Sequence, residues 1–187
     1  MFADFVGPTM VSWGLVCIAP NYTHATGVPI GSPGGSGLND RGASRVNLLR
    51  LHMTLALLGR LGYVDLSRVA LHGHSMGAYL DAAAASAYPT AFRVASSTGG
   101  GVRPDRILFG PAPSPSAVRG IRIPFQMHHG DKDDVVPLDY DRHFASILDG
   151  LHVPNELYIY AGGHLAPRAD PLMLERVHAW YARFGMF

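Results

Sequence analysis

The stretch LHGHSMGAY (71–79) sets Ser75 between Gly73 and Gly77, with apolar residues before it and small ones after. A serine hydroxyl is a weak nucleophile until a neighbouring base takes its proton, and that base works best when a third group orients it. Two other segments hold side chains of those types. HHGDKDDVVP (128–137) carries Asp131, Asp133 and Asp134, and YAGGHLAP (160–167) carries His164 on a glycine-rich turn. Three carboxylates crowded this closely repel one another, so most must face water and one at most can turn inward. A serine, a carboxylate and an imidazole brought to one place would do acyl transfer. The remaining histidines are weaker candidates. His72 and His74 alternate along one run and share a face, but no third ligand converges on them, so no metal is expected. His128 and His129 are adjacent and point to opposite faces, which is poor ligand geometry.

These residues depend on elements that present them at one edge. Apolar runs of strand length recur at LVCIAP (15–20), RVALHGHS (68–75), RILFGPA (106–112), IPFQMHHG (123–130) and ELYIYAG (156–162). Segments of helical character alternate with them. NDRGASRVNLLRLHMTLALLGRLG carries Val46, Leu49, Leu51, Met53, Leu57 and Leu61 in a broad apolar band, and MGAYLDAAAASAY is rich in alanine. PLDYDRHFASILDG and PLMLERVHAWYARFG follow a proline suited to a first helical turn. Continuous rather than alternating apolar strands, separated by helices, predict a mostly parallel sheet covered on both faces: an α/β three-layer sandwich. FRVASS (92–97) fits either a short extra strand or the end of the alanine-rich helix. The glycine- and proline-rich segment 21–40 reads as a surface or pocket-wall loop, and TGGGVRP (98–104) as a flexible connection without chemistry.

Ligands of open α/β sheets collect at the carboxyl ends of the strands. Ser75, Asp133 and His164 each follow a strand-length run, and Ser75 also precedes a helix. Composition agrees with one globular domain over residues 1–187, with 48% hydrophobic and 16% charged side chains. A net charge of +1 without a basic cluster argues against nucleic acid and anionic membrane partners. No apolar stretch reaches membrane-spanning length, and the first residues lack the pattern of a secretory leader, so the cytoplasm is the expected location. The single cysteine, Cys17, lies within LVCIAP and is expected to be a small buried hydrophobe.

The chain order Ser75, Asp133, His164 resembles the α/β-hydrolases. It is similar above all to the dienelactone-hydrolase-like and prolyl-oligopeptidase-like branches, where the acid sits in H-G-x-x-D-x-x-V-P, matched by His129, Gly130, Asp133, Val136 and Pro137. The resemblance selects Asp133 among the three aspartates. It implies a serine esterase with Ser75 as nucleophile, His164 as base and Asp133 as orienting acid. It also implies the backbone N–H of Met76 as one oxyanion donor. No cofactor follows from it.

In that family a second donor comes from a loop after an earlier strand, and MFADFVGPTMVSWG resembles the helix that follows that loop. The sheet is therefore expected to be reduced at its N-terminal side. Either LVCIAP slides beside RVALHGH, or a second copy of the chain covers the gap, and homo-oligomerisation is the expectation. With no room for a large lid, an open pocket for a small or short-acyl ester is expected, walled by Tyr22, His24, His74, Tyr79 and Leu165. Amides, thioesters and lactones stay open as substrates. The rival reading is a binding protein of the same fold with an incomplete oxyanion hole.

Overall fold

The computed structural model describes residues 2–20, 42–107 and 110–187. Four strands, β1 (Ala70–His74), β2 (Val94–Thr98), β3 (Phe125–Gly130) and β4 (Asn155–Tyr160), form one sheet in the order β1-β2-β3-β4. Every pairing is parallel, with Ala70 opposite Val94, Ala95 opposite Phe125, and Phe125 opposite Asn155. β2 and β3 are buried at every position, which is why their sequences read as continuous rather than alternating.

Helices cover both faces. Helix α2 (Arg45–Leu58), helix α3 (Met76–Ala87) and helix α4 (Leu138–Gly150) pack on one face. Leu51, Ala82, Ala85, Phe144 and Leu148 meet Leu71, Ala95, Phe125 and Met127 there. On the other face, helix α1 (Phe2–Ser12) and helix α6 (Pro171–Arg183) bring Val6, Met10, Met173, Val177 and Trp180 against Val94 and Tyr160. The short helix α5 (Ala166–Ala169) joins the last strand to α6. The sandwich has three layers, as the alternation of strand-like and helix-like runs predicts. No described helix is long and apolar enough to cross a membrane.

Local sequence explains most boundaries. Ser44 caps α2 by accepting from the Asn47 N–H at 3.3 Å, and Asp170 caps α6 by accepting from Leu172 at 2.9 Å. The alanines of α3 let it approach the sheet closely. FRVASS resolves as β2, a central strand.

Several expectations fail. Residues 15–20 adopt no regular structure: Leu15 donates its N–H to Met10 at 3.3 Å and stays with α1, while Val16 and Ile18 are exposed. The chain does not slide beside β1, and among the described residues β1 is an edge of the sheet. Cys17 is accordingly exposed rather than buried. Residues 106–107 and 110–112 of RILFGPA form no strand, since Pro111 and Pro113 supply no N–H to a ladder. The apolar band of α2 also divides. Leu51 and Leu58 face the core, whereas Leu49 and Met53 are 56% and 64% exposed.

Candidate active site

β1 ends at His74 and α3 begins at Met76, leaving Ser75 alone in the connection. Its φ of 55° and ψ of −116° lie where an L-residue is strained. The turn is held on both sides. The Ser75 N–H donates to the Thr98 carbonyl at 2.9 Å, and the Ser75 carbonyl accepts from the Tyr79 N–H at 3.2 Å. A Cβ at Gly73 would strike the Gly77 backbone and the Asp81 carboxyl, so glycine at 73 is needed for the helix to turn back so tightly. Met76 is the first residue of α3, and its N–H is among those that helix geometry leaves without an intrahelical acceptor.

Asp133 lies on the loop after β3, and its side chain has no exposed surface. Oδ1 accepts from the N–H groups of Val135 at 2.9 Å and Val136 at 2.8 Å, while Oδ2 accepts from His164 Nδ1 at 2.7 Å. Burial pushes this carboxyl up, but the His164 bond and the two backbone donors outweigh it and hold its pKa below the ordinary value. Asp131 and Asp134 are exposed. Asp131 Oδ1 accepts from the Gly162 N–H at 2.7 Å, and the Lys132 N–H donates to the Gly162 carbonyl at 2.9 Å. These two bonds tie the acidic loop to the turn that carries His164.

His164 presents one edge to Asp133, which fixes Nδ1 as the protonated nitrogen and leaves Nε2 as a base. Its ring lies 4.6 Å from that of His74, the residue before Ser75. It also lies against Gly99, where an added Cβ would stand 2.9 Å from Cε1 and 3.0 Å from Nδ1. Gly99 directly follows Thr98, the partner of the Ser75 N–H. The carboxyl ends of β1, β3 and β4 thus bring Ser75, Asp133 and His164 to one edge, with Gly99 at the end of β2 between them. Among the described residues no hydrogen bond joins Ser75 Oγ to His164; such bonds are often long in unliganded structures.

The segment TGGGVRP therefore is not a flexible connection. Residues 99–102 are buried, Gly100 fits against the Ala78 side chain, and Gly101 fits against the backbone of Tyr140 and Asp141. Three consecutive glycines were the available signal, because only absent side chains let a loop pass between two packed helices and a histidine.

The expected pocket residues separate. His74 is half-buried, with Nδ1 2.8 Å from Thr98 Oγ1, and burial together with the charges of His164 and Arg168 pushes its pKa down to about 4. Tyr79 is buried and packs with Ala112, Val136 and Met76. Leu165 is 54% exposed beside His164. Tyr22 and His24 lie outside the described residues. Two clefts of about 550 Å³ are lined elsewhere, one by Arg93, Arg122 and Phe184, the other by Arg45, Arg103 and Pro111. His72 Nδ1 lies 2.6 Å from Ser96 Oγ, and no cluster of three metal-ligating side chains occurs among the described residues.

The sequence named His129 as the first residue of the H-G-x-x-D-x-x-V-P match but gave it no role, and it did not single out Asp141. Both are buried, and His129 Nδ1 lies 2.7 Å from Asp141 Oδ2 while its Nε2 lies 3.2 Å from Asp133 Oδ2. His128 turns to the opposite face, bonded to Tyr160 and Gln126.

Solved structures share this arrangement of strands and helices. Esterase PE8 superposes with a TM-score of 0.61 at 21% identity over 74% of this chain and 60% of its own. MGS-M1, an alpha/beta hydrolase enzyme from a Medee basin deep-sea metagenome library, matches with a TM-score of 0.61 at 16% identity, over 75% of this chain and 65% of its own. The fold is that of the α/β-hydrolases. An acylaminoacyl peptidase from Pyrococcus horikoshii carries the same α/β-hydrolase fold (TM-score 0.61, 18% identity, 74% of this chain and 28% of its own). The chain spans less than two thirds of the length of each of these proteins. No protein-family model matches the sequence, and no curated protein does.

Proposed function

We propose that this chain is a serine hydrolase of carboxylic esters, small or short in the acyl part, working through Ser75, His164 and Asp133. The observation that carries the reading is the Asp133–His164 contact at 2.7 Å, set against Gly99 beside the strained turn of Ser75. His164 Nε2 takes the Ser75 proton as Oγ attacks the ester carbonyl, and Asp133 stabilises the imidazolium. The Met76 N–H donates to the oxyanion. Collapse expels the alcohol, which takes its proton from His164, and water then releases the acid from the acyl-enzyme. His74, Tyr79 and Leu165 wall the pocket. The fold's esterase and peptidase neighbours support hydrolysis as the reaction class.

A fluorophosphonate probe with intact-mass measurement, alongside p-nitrophenyl acetate turnover, tests the reading. One adduct and turnover are expected, both lost in Ser75→Ala. A folded chain that neither labels nor turns over is a binding protein instead. That second reading rests on the expectation of an incomplete oxyanion hole, for which the resemblance implies the Met76 N–H as one donor. A homo-oligomer covering the edge that β1 forms among the described residues belongs to the same proposal.

A further inference from the structure

His129 and Asp141 stand behind the triad and have no part in the steps above. His129 is the second-to-last residue of β3, and Asp141 projects from the first turn of α4. Neither side chain has exposed surface. The imidazole is gripped at both nitrogens. Nδ1 meets Asp141 Oδ2 at 2.7 Å, and Nε2 meets the Val136 carbonyl at 2.9 Å and Asp133 Oδ2 at 3.2 Å. A carbonyl oxygen only accepts, so Nε2 carries a hydrogen, which faces both Val136 and Asp133. Were Nε2 bare, two lone pairs would oppose it in the packed interior, which is costly.

Resting on the serine-hydrolase reading, we propose that His129 is a positioning residue: wedged between Asp141 and Asp133, it braces Asp133 Oδ2 for His164 and offsets part of that carboxylate's charge. Two consequences separate this from a purely structural role. Bracing stops Asp133 from turning about its Oδ1 bonds to Val135 and Val136. A positive charge at His129, nearer to the triad than its counter-charge at Asp141, lowers the attraction that Asp133 exerts on a proton at His164. Burial pushes the His129 imidazole down, but the bond to Asp141, its charge, the Val136 carbonyl and the Asp133 charge together raise its pKa. Other titratable groups facing this cluster are Tyr140 from α4 and Tyr79 from α3. Burial, then Tyr140, Asp141 and Asp133, hold the Tyr79 phenol neutral. On the far side of His164 stand His74 from β1 and Arg168 from α5.

Asp141→Asn keeps the shape, and its amide donates to Nδ1 of a neutral His129 that still donates through Nε2. The charge is removed while the brace stays. The His164 titration midpoint, followed by histidine-edited NMR, should then rise by about 0.5 pH unit, a fraction of the 1–3 units that a charge in direct contact produces. His129→Leu removes the brace as well. It should lower kcat on p-nitrophenyl acetate by about 10-fold or more with KM little changed, since misplacement near 1 Å costs on the order of 10²-fold. In the unaltered chain at neutral pH, both ring nitrogens of His129 should give protonated nitrogen shifts, a readout that needs no variant to fold. A neutral His129 there, or an unmoved His164 midpoint in folded Asp141→Asn, overturns the proposal. The NMR readouts need no turnover, so loss of the hydrolase reading shows separately, as Ser75-independent or absent ester cleavage.

Discussion

Gly99→Ala is the most direct test of what holds the imidazole in place. The new Cβ would stand 2.9 Å from His164 Cε1, 3.0 Å from Nδ1 and 3.5 Å from Asp133 Oδ2. Carbon contacts are comfortable at roughly 3.5–4.0 Å, so the ring must retreat by about 0.5–1 Å. Only 14% of the His164 side chain is exposed, and the ring's retreat weakens its hold on Asp133. Displacement of about 1 Å in a catalytic group costs on the order of 10²-fold in rate. The backbone adds a second cost. Gly99 has φ +56°, and an L-residue there loses about 1–2 kcal/mol. Gly14→Ala separates the two effects, because Gly14 also has positive φ, +84°, yet a methyl placed there meets nothing within 4 Å. Both variants should melt lower, by about 2–8 °C for a chain of this size. Only Gly99→Ala should lose p-nitrophenyl acetate turnover. Full turnover in a folded Gly99→Ala chain would refute the claim that this glycine seats His164.

Asp133→Asn should lower kcat by roughly 10⁴-fold, by forcing the wrong tautomer on His164, with little change in fold. Asp131→Asn should leave the rate near that of the parent, because its Oδ1 can still accept from Gly162; the reverse ranking would mean that the acid has been misassigned. Burial holds the Asp81 carboxyl well above its ordinary range, and its Oδ2 has no hydrogen-bond partner. A group raised in this way contributes its full stability below its unfolded pKa and loses it as pH rises. The melting temperature of Asp81→Asn relative to the parent should therefore improve from about pH 4 to about pH 8; a difference independent of pH would sink the idea. Light scattering should find a homo-oligomer that covers β1, and a stable monomer would exclude it.

The three-layer sandwich and the order of its catalytic candidates were legible in the residues themselves. β3 read as a strand because buried parallel strands need continuous apolar residues, and such runs stand out locally. Ser75 read as a turn residue because Gly73 and Gly77 permit a close return of the helix, again a local property. Runs with the same apolar character failed at LVCIAP and RILFGPA. A strand exists only where a neighbour takes up its backbone groups, and no run of residues states whether it has a neighbour. The α2 band misled for a related reason: apolar character marks what can be buried, while the packing of α2 against α3 chose Leu51 and Leu58 over Leu49 and Met53.

Among the site residues, side-chain type and chain order nominated Ser75, Asp133 and His164. Which aspartate turns inward was decided by the loop, which aims the N–H groups of Val135 and Val136 at Asp133 and commits Asp131 to Gly162. The roles of Gly99, His129 and Asp141 belong to tertiary structure alone. Each acts through a contact with a residue on another element, or with one that the loop after β3 folds back. Chemical identity is written in the sequence; adjacency across the sheet edge is created only when the layers pack.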